Sequence, residues 1–303
     1  MKKYICIHIG GTRIKYGAVD ENGILVRAED TATEAVLGGR AVLDKVCSLT
    51  EQLVVQEEDV YGICVSTAGM VDCRQGLILY ASELIPGYTG MNVKEWLEKR
   101  FGLPCEVEND VNCAGLAESR AGASKGSRIS LCLTVGTGIG GALVMDGKVF
   151  HGFCGSACEI GYMYMGESAF QDLGSASALV KLAAARKGID PGTVDGRWVF
   201  DMAEHQDPDC IAAIDQLTDV LGMGIANLCY MLNPEVVVLG GGIMERKEYL
   251  YPKIRKRMDR YLLPFISSKT RLAFAELGNT AGMLGAYYHF TDRQKERNMD
   301  GGL

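Results

Sequence analysis

Apolar positions along the first part of the chain alternate before they take up a helical period. Tyr4 to Ile9 alternates and carries β-branched residues, which predicts a strand. Gly10-Gly11-Thr12 makes a turn, Ile14 to Val19 returns, and Gly23 closes a second hairpin to Ile24 to Ala28. From Ala41 to Gln56 apolar side chains recur at Val42, Val46, Leu49 and Leu53, which predicts a helix. Val60 to Ser66 reads as a buried strand running into Ser66-Thr67-Ala68-Gly69, and Leu77 to Tyr80 as a short one. Asn92 caps a helix that ends at Phe101, before Gly102-Leu103-Pro104. Glu106 to Glu108 is a strand, and Asn109-Asp110 opens a helix through Arg120.

The second half repeats the outline. Ile129 to Val135 is a strand, Gly136 to Gly138 a glycine-rich turn, and a returning strand ends in a tight Asp146-Gly147 turn. The N-terminal copy has the same order, with a turn two residues longer. Residues 149 to 174 are rich in Gly, Cys and Tyr and have no clear period, the mark of a functional loop. Ser175 to Lys187 is a helix. Asp207-Pro208 starts the longest one, Asp209 to Leu232, which Asn233-Pro234 ends. Gly222 and Gly224 inside it cost about 1 kcal/mol each, so close backbone packing is expected there. Glu235 to Leu239 is a buried strand delivering Gly240-Gly241-Gly242. A basic helix runs to about Tyr261, a strand covers Arg271 to Ala275, and Asn279 caps a last helix from Ala281 to about Arg293. The tail from Asn298 to Leu303 is expected to be disordered. Two domains are expected, 1–122 and 123–303, with the last helix packing back on the first.

Composition narrows the class. The 303 residues, 48% apolar and 23% charged, suit two domains with real cores. No apolar run reaches the ~20 residues that span a bilayer. Met1-Lys2-Lys3 leads straight into the first strand, so no signal peptide is expected and the setting is cytoplasmic. A net charge of −7 argues against a nucleic-acid surface. The eleven cysteines are scattered, several of them inside apolar segments (Cys6, Cys64, Cys132, Cys229), and read as small buried hydrophobes.

The chemistry sits in three glycine loops that follow strands, at Gly10, Gly136 and Gly240. One such loop is weak evidence; two in repeated hairpins suggest phosphates held by backbone N–H groups. None fits the dinucleotide fingerprint or the lysine-containing P-loop. Asp110, at a strand-to-helix junction, reads from position alone as an N-cap.

In order and spacing, the Gly10-Gly11-Thr12 loop, Glu108-Asn109-Asp110-Val111-Asn112, Gly136-Thr137-Gly138-Ile139-Gly140-Gly141, Glu159-Ile160-Gly161, Gly240-Gly241-Gly242 and Ala281-Gly282 resemble the ROK sugar kinases. The resemblance covers nearly the whole chain. It implies two α/β domains of ribonuclease-H-like, actin/hexokinase type with an interdomain cleft, and ATP-dependent phosphorylation of a sugar hydroxyl. It casts Asp110 as the base. Ser66, Gly69, Glu83, Asn109, Asp110 and Glu159 become sugar ligands, and Gly10, Gly11, Thr12, Lys15, Gly136, Thr137, Gly138, Gly241 and Gly242 nucleotide ligands. It also implies Mg²⁺ and a homodimer. Tyr287 and Tyr288 read as packing residues.

Two departures qualify it. The family's aspartate before Gly-Gly, which helps hold magnesium and phosphate, is His8 here, and neutral imidazole is a poor partner for a hard cation. Tyr162 follows Gly161, and Met163 to Asp209 holds no cysteine, so the family's structural zinc is not expected. His151, Cys154 and Cys158 are a loose three-ligand remnant. Glu159 to Met163 and Gly285 to Phe290 instead resemble the zinc-free branch that includes β-glucoside kinases. That points to the 6-hydroxyl of glucose or a β-glucoside, with N-acetylmannosamine or fructose as alternatives. The rival is a catalytically weak sugar-binding or regulatory protein, motivated by His8. A DNA-binding repressor is disfavoured because the chain opens directly on its first strand.

Overall fold

The structure, a computed structural model, describes residues 1–300. The chain forms two compact units. One comprises Met1–Arg120, Val149–Ala157 and the chain from Asn279 on; the other comprises Ala121–Lys148 and Cys158–Gly278. The segment Val149–Ala157 thus belongs with the first unit, a return that no periodicity marks in the sequence.

The first unit begins β1 (Lys3–Ile9), β2 (Arg13–Asp20), β3 (Leu25–Ala32), α1 (Gly39–Gln56) and β4 (Val60–Thr67). A small hairpin, β5 (Met70–Asp72) and β6 (Leu77–Tyr80), precedes α2 (Val93–Phe101), β7 (Cys105–Asn109) and α3 (Asp110–Ala121). Its sheet has the order β3-β2-β1-β4-β7. β2 and β3 run antiparallel and β4 and β7 parallel. Ile5, Ile7 and Ile9 of β1 pack with Val42, Leu43, Val46 and Leu53 of α1, as the helix period requires. Each such isoleucine contributes roughly 1.5–3 kcal/mol by leaving water.

The second unit repeats this plan. β8 (Ile129–Val135), β9 (Ile139–Met145) and β10 (Lys148–Val149) are its antiparallel part. α4 (Phe170–Gly174), α5 (Ala176–Lys187), α6 (Gly196–Glu204) and α7 (Pro208–Leu232) then lead to β11 (Val236–Gly240). α8 (Lys247–Tyr261), α9 (Pro264–Ser267) and β12 (Arg271–Phe274) follow. The order β10-β9-β8-β11-β12 matches the first sheet position for position. The longer turn is the closing one: residues 21–24 separate β2 from β3, against Asp146 and Gly147 between β9 and β10. Asp146 and Gly147 both take positive φ, 49° and 75°, as a tight two-residue hairpin needs.

In α7, Asp207 accepts from Cys210 N–H as N-cap, and Asn233 ends the helix at φ 44°. Its two glycines are contact points. A Cβ on Gly222 would lie 2.4 Å from Arg257 Cβ of α8, and one on Gly224 2.4 Å from Phe170 Cζ of α4. The irregular 149–174 stretch holds α4 and a 3₁₀ turn, Ile160–Tyr162. Helix α6 is capped by Asp195, and no apolar period marks it in the sequence, because Gly196-Arg197 interrupts the pattern at the start.

The last helix, α10 (Ala281–Asp300), covers the second face of the first unit's sheet, packing on β1, β4 and β7. Tyr4 meets Tyr287 and Phe290 edge-on at 5.1 and 5.5 Å, and Tyr287 Oη donates to Glu21 O. The helix runs past Arg293 through Asp300, so Asn298 to Asp300 of the expected disordered tail are helical; Gly301 to Leu303 lie outside the described residues. Among the described residues, no helix is long and apolar enough to cross a membrane.

Close approach is the condition for this docking. A Cβ on Gly285 would lie 1.9 Å from Cys113 O, a backbone atom of α3 that cannot rotate away. Gly285→Ala is therefore expected to lower the urea-measured unfolding free energy by about 1–3 kcal/mol or more. That loss comes despite the ~1 kcal/mol by which alanine favours a helix over glycine. An unchanged or raised midpoint would show that α10 is not held at this distance.

Candidate active site

In the first unit, β7 hands over to α3 at Asn109-Asp110. Asn109, not Asp110, is the cap: its Oδ1 accepts from Val111 N–H at 2.8 Å and Asn112 N–H at 3.0 Å. Its Nδ2 donates to Gly69 O at 2.9 Å and to Asp110 Oδ1 at 3.2 Å. Asp110 Oδ1 also accepts from Val111 N–H at 2.9 Å. The carboxylate thus sits on the first turn of a twelve-residue helix, where the dipole favours its ionised form. Gly69, at φ 102°, presents that carbonyl; a Cβ there would lie 2.8 Å from Tyr80 O. Ser66 is fully buried, and Glu83 is exposed in the turn after β6.

His8 lies on the α10 side of β1. Its Nδ1 is 3.0 Å from Ser66 Oγ, and a Cβ on Gly282 would lie 2.6 Å from the same nitrogen. Burial, with Lys15 nearby, lowers its pKa to about 4, so the ring is neutral at pH 7. His8, Gly10, Thr12, Lys15 and Asn279 line a cleft of about 460 Å³. Lys15 Nζ donates to Asn279 Oδ1 at 2.7 Å across it. Gly10 N–H is turned inward to Arg13 O, and a Cβ on Gly11 would meet Leu84 Cδ2 at 2.2 Å.

In the second unit, Gly136 N–H bonds Gly138 O within the turn, while Thr137 is exposed at its tip. Gly241, at φ 106°, leaves β11 with no room for a side chain: a Cβ there would lie 2.2 Å from Val135 O. Gly136, Thr137, Gly242, Arg197, Phe200 and Arg246 help line a cleft of about 540 Å³. Arg197 and Arg246 are lining residues that sequence reasoning missed. Glu159 stands before the Ile160–Tyr162 turn, and burial raises the pKa of its carboxyl. Gly161 is required there: a Cβ would lie 2.2 Å from Ile139 O.

The structure does not bring His151, Cys154 and Cys158, the loose three-ligand remnant, together as one group. Cys154 is exposed, with its Sγ on Ser156 Oγ. His151 instead reaches Glu108 in the first unit, at 2.6 Å. Glu108 is fully buried and accepts from Asn109 N–H and Asn112 Nδ2 on one oxygen and faces His151 and His289 with the other. Burial alone would raise its pKa, but His289, His151 and Asn112 outweigh it and hold it at about 2. Glu108 stood in the Glu108-Asn109-Asp110 motif and His289 in the Gly285–Phe290 ending, yet nothing in the sequence joined them.

Two units with the same 3-2-1-4-5 sheet order, each carrying a glycine hairpin turn, define an actin/hexokinase-type α/β protein. The ROK family model matches residues 4–293, and the chain belongs to that family. An uncharacterized protein of Clostridium perfringens is 52% identical, over 96% of this chain and 99% of that one. The β-glucoside kinase of Listeria innocua is 30% identical, over 96% and 98%. Among solved structures, a Streptomyces griseus ROK glucokinase in complex with glucose and AMPPNP superposes with a TM-score of 0.83. It is 28% identical and is matched over 94% of this chain and 97% of that one.

The neutral His8 has a measurable consequence. Its folded pKa, about 4, lies below the unfolded value of 6.5, so the unfolded chain binds the proton first. Stability from this group is present above pH 6.5 and is lost as pH falls toward 4. Relative to His8→Gln, the native chain should lose about 1–3 kcal/mol between pH 7 and pH 4 in urea titrations. A difference that stays constant across the window would mean that the ring is not held neutral.

Proposed function

We propose that the chain transfers the γ-phosphoryl group of ATP to the 6-hydroxyl of glucose or a β-glucoside. The observation that carries this reading is the Gly69–Asn109–Asp110 arrangement. Here a capping amide anchors a helix and leaves a carboxylate on its first turn. In the reaction Asp110 accepts the hydroxyl proton as the sugar oxygen bonds to the γ-phosphorus. The bond from that phosphorus to the bridging oxygen breaks, giving a sugar 6-phosphate and ADP. Positioning does most of the work in such a transfer, so a weak base suffices. Glu159, Gly69 and Glu83 are assigned to the sugar. The turns at Gly10 and Gly136, with Lys15, Gly241 and Gly242, are assigned to the nucleotide. The β-glucoside and glucose kinases among its relatives support the sugar class. A cytoplasmic homodimer is part of the same proposal.

Magnesium does not fit the His8 position. The side chain there is a neutral imidazole already on Ser66, whereas magnesium takes hard oxygen ligands. No step is therefore assigned to a metal held by β1. The same observation supports a second reading, a sugar-binding regulator with little turnover.

ADP release from Mg-ATP across glucose, cellobiose, β-glucosides, fructose and N-acetylmannosamine separates the two. Turnover of one sugar is expected. Asp110→Asn should lower kcat by about 10²–10⁴ while calorimetry still detects sugar binding, and His8→Asp should raise turnover. Full activity in Asp110→Asn would remove Asp110 as the base. Sugar binding without turnover, in both the native chain and His8→Asp, would establish the regulator.

A further inference from the structure

Among the described residues, Cys73, Glu108 and His151 bring one ligand atom each to within 4.8 Å of one another. We infer that these three residues form a metal site for a borderline divalent cation of the zinc class, held by a thiolate, a carboxylate oxygen and an imidazole nitrogen. The inference is independent of the kinase reading, since it concerns none of the residues assigned there to sugar or nucleotide.

Geometry supports it. Zinc bonds of about 2.3 Å to sulfur and about 2.0 Å to nitrogen or oxygen put neighbouring ligands roughly 3.3–3.6 Å apart on a tetrahedron. Cys73 Sγ and His151 Nε2 are 3.6 Å apart. His151 Nε2 and Glu108 Oε2 are 2.6 Å apart, the length of a hydrogen bond, so the metal would replace the proton between them and widen that edge by about 0.7 Å. His151 can yield that distance: its side chain is 35% exposed, on the segment that returns to this unit. The exposed side also gives the cation a way in and leaves the fourth position to water.

The surroundings are those of a supported ligand. Glu108 is fully buried, and His289 Nδ1 stands 3.3 Å from the same Oε2, in place to orient the carboxylate. His289 Nε2 is buried without a hydrogen-bond partner. On binding, the Cys73 thiol proton leaves to solvent, and the proton on Nε2 passes to solvent from an imidazolium or to Nδ1 from the neutral ring. The dication then faces the Glu108 carboxylate in place of that proton. Because Glu108 also accepts from Asn109 N–H and Asn112 Nδ2, a metal here would brace the junction that carries Asp110.

The test is a cobalt(II) titration of the chelator-stripped full chain, followed by displacement with zinc. One equivalent should bind with thiolate-to-cobalt charge-transfer absorption that zinc removes. Cys73→Ser should abolish the band, His151→Gln should weaken binding more than about tenfold, and Cys154→Ser and Cys158→Ser should leave both unchanged. Absence of stoichiometric binding would overturn the inference and leave a metal-free carboxylate–imidazole pair. So would a band that survives Cys73→Ser or depends on Cys154 or Cys158. If Cys73→Ser fails to fold, His151→Gln decides: an affinity equal to the native chain's would exclude the site.

Discussion

Helix α10 reaches its sheet through side chains that are not there. Gly285 sits on the Cys113 carbonyl, Gly282 on the His8 ring, and Gly62 of β4 receives the Phe290 ring, where a Cβ would lie 2.3 Å from Cζ. The sheet face opposite is correspondingly lined by small groups, Cys6 and Cys64, both fully buried. Interiors pack near crystal density, so one added methyl group has nowhere to go. This contact fixes α3 and β1 relative to the last twenty residues of the described chain. It therefore fixes Asp110 and His8. Buried charge reinforces it: Glu106 of β7, fully buried, is held by Lys94 at 2.8 Å and by Arg297 of α10 at 2.7 Å. Removing one partner of such a set costs several times what a surface pair contributes.

Much of the fold is legible in the sequence because it is written twice. A single strand–glycine–strand outline is ambiguous. Two outlines, each followed by a helix and a buried parallel strand, constrain the sheet order. Capping chemistry is equally local: Asn92, Asp207 and Asn233 bound their helices as their side chains dictate. What was not legible depends on tertiary return. The 149–157 segment has neither period nor caps, and its membership of the first unit comes from contacts with distant residues such as Glu108 and Val71. Helix α6 is announced only by Asp195, and Gly196-Arg197 at its start hid the apolar face.

The candidate site divides the same way. Motif order picks out Asn109, Asp110, Glu159 and the glycine turns, because each motif is a short contiguous run. It does not say which neighbour caps: two adjacent polar residues both fit an N-cap, and only the bonds to Val111 and Asn112 N–H choose Asn109. Nor does it reveal that Glu108 is bonded on both oxygens. Its partners lie 43 residues ahead, at His151, and at His289 in the final helix.

His8 and Glu108 together describe how this unit distributes charge. Both are removed from bulk water, and burial penalises the ionised form of each. Glu108 stays ionised because donors surround it on both oxygens. Among the described residues His8 bonds Ser66, and Lys15, its register partner on β2, opposes its protonation. Arg13 and Lys15 already line the cleft beside it. An aspartate on β1 would place a negative charge against those side chains and attract a cation. The neutral imidazole adds no charge there, and Lys15, on β2, is already offset in part by Asp30, which lines the same cleft. The cleft beside β1 therefore carries both signs, Arg13 and Lys15 against Glu29 and Asp30, and His8 adds charge to neither, so the strand that a metal-holding aspartate would occupy contributes only a neutral ring.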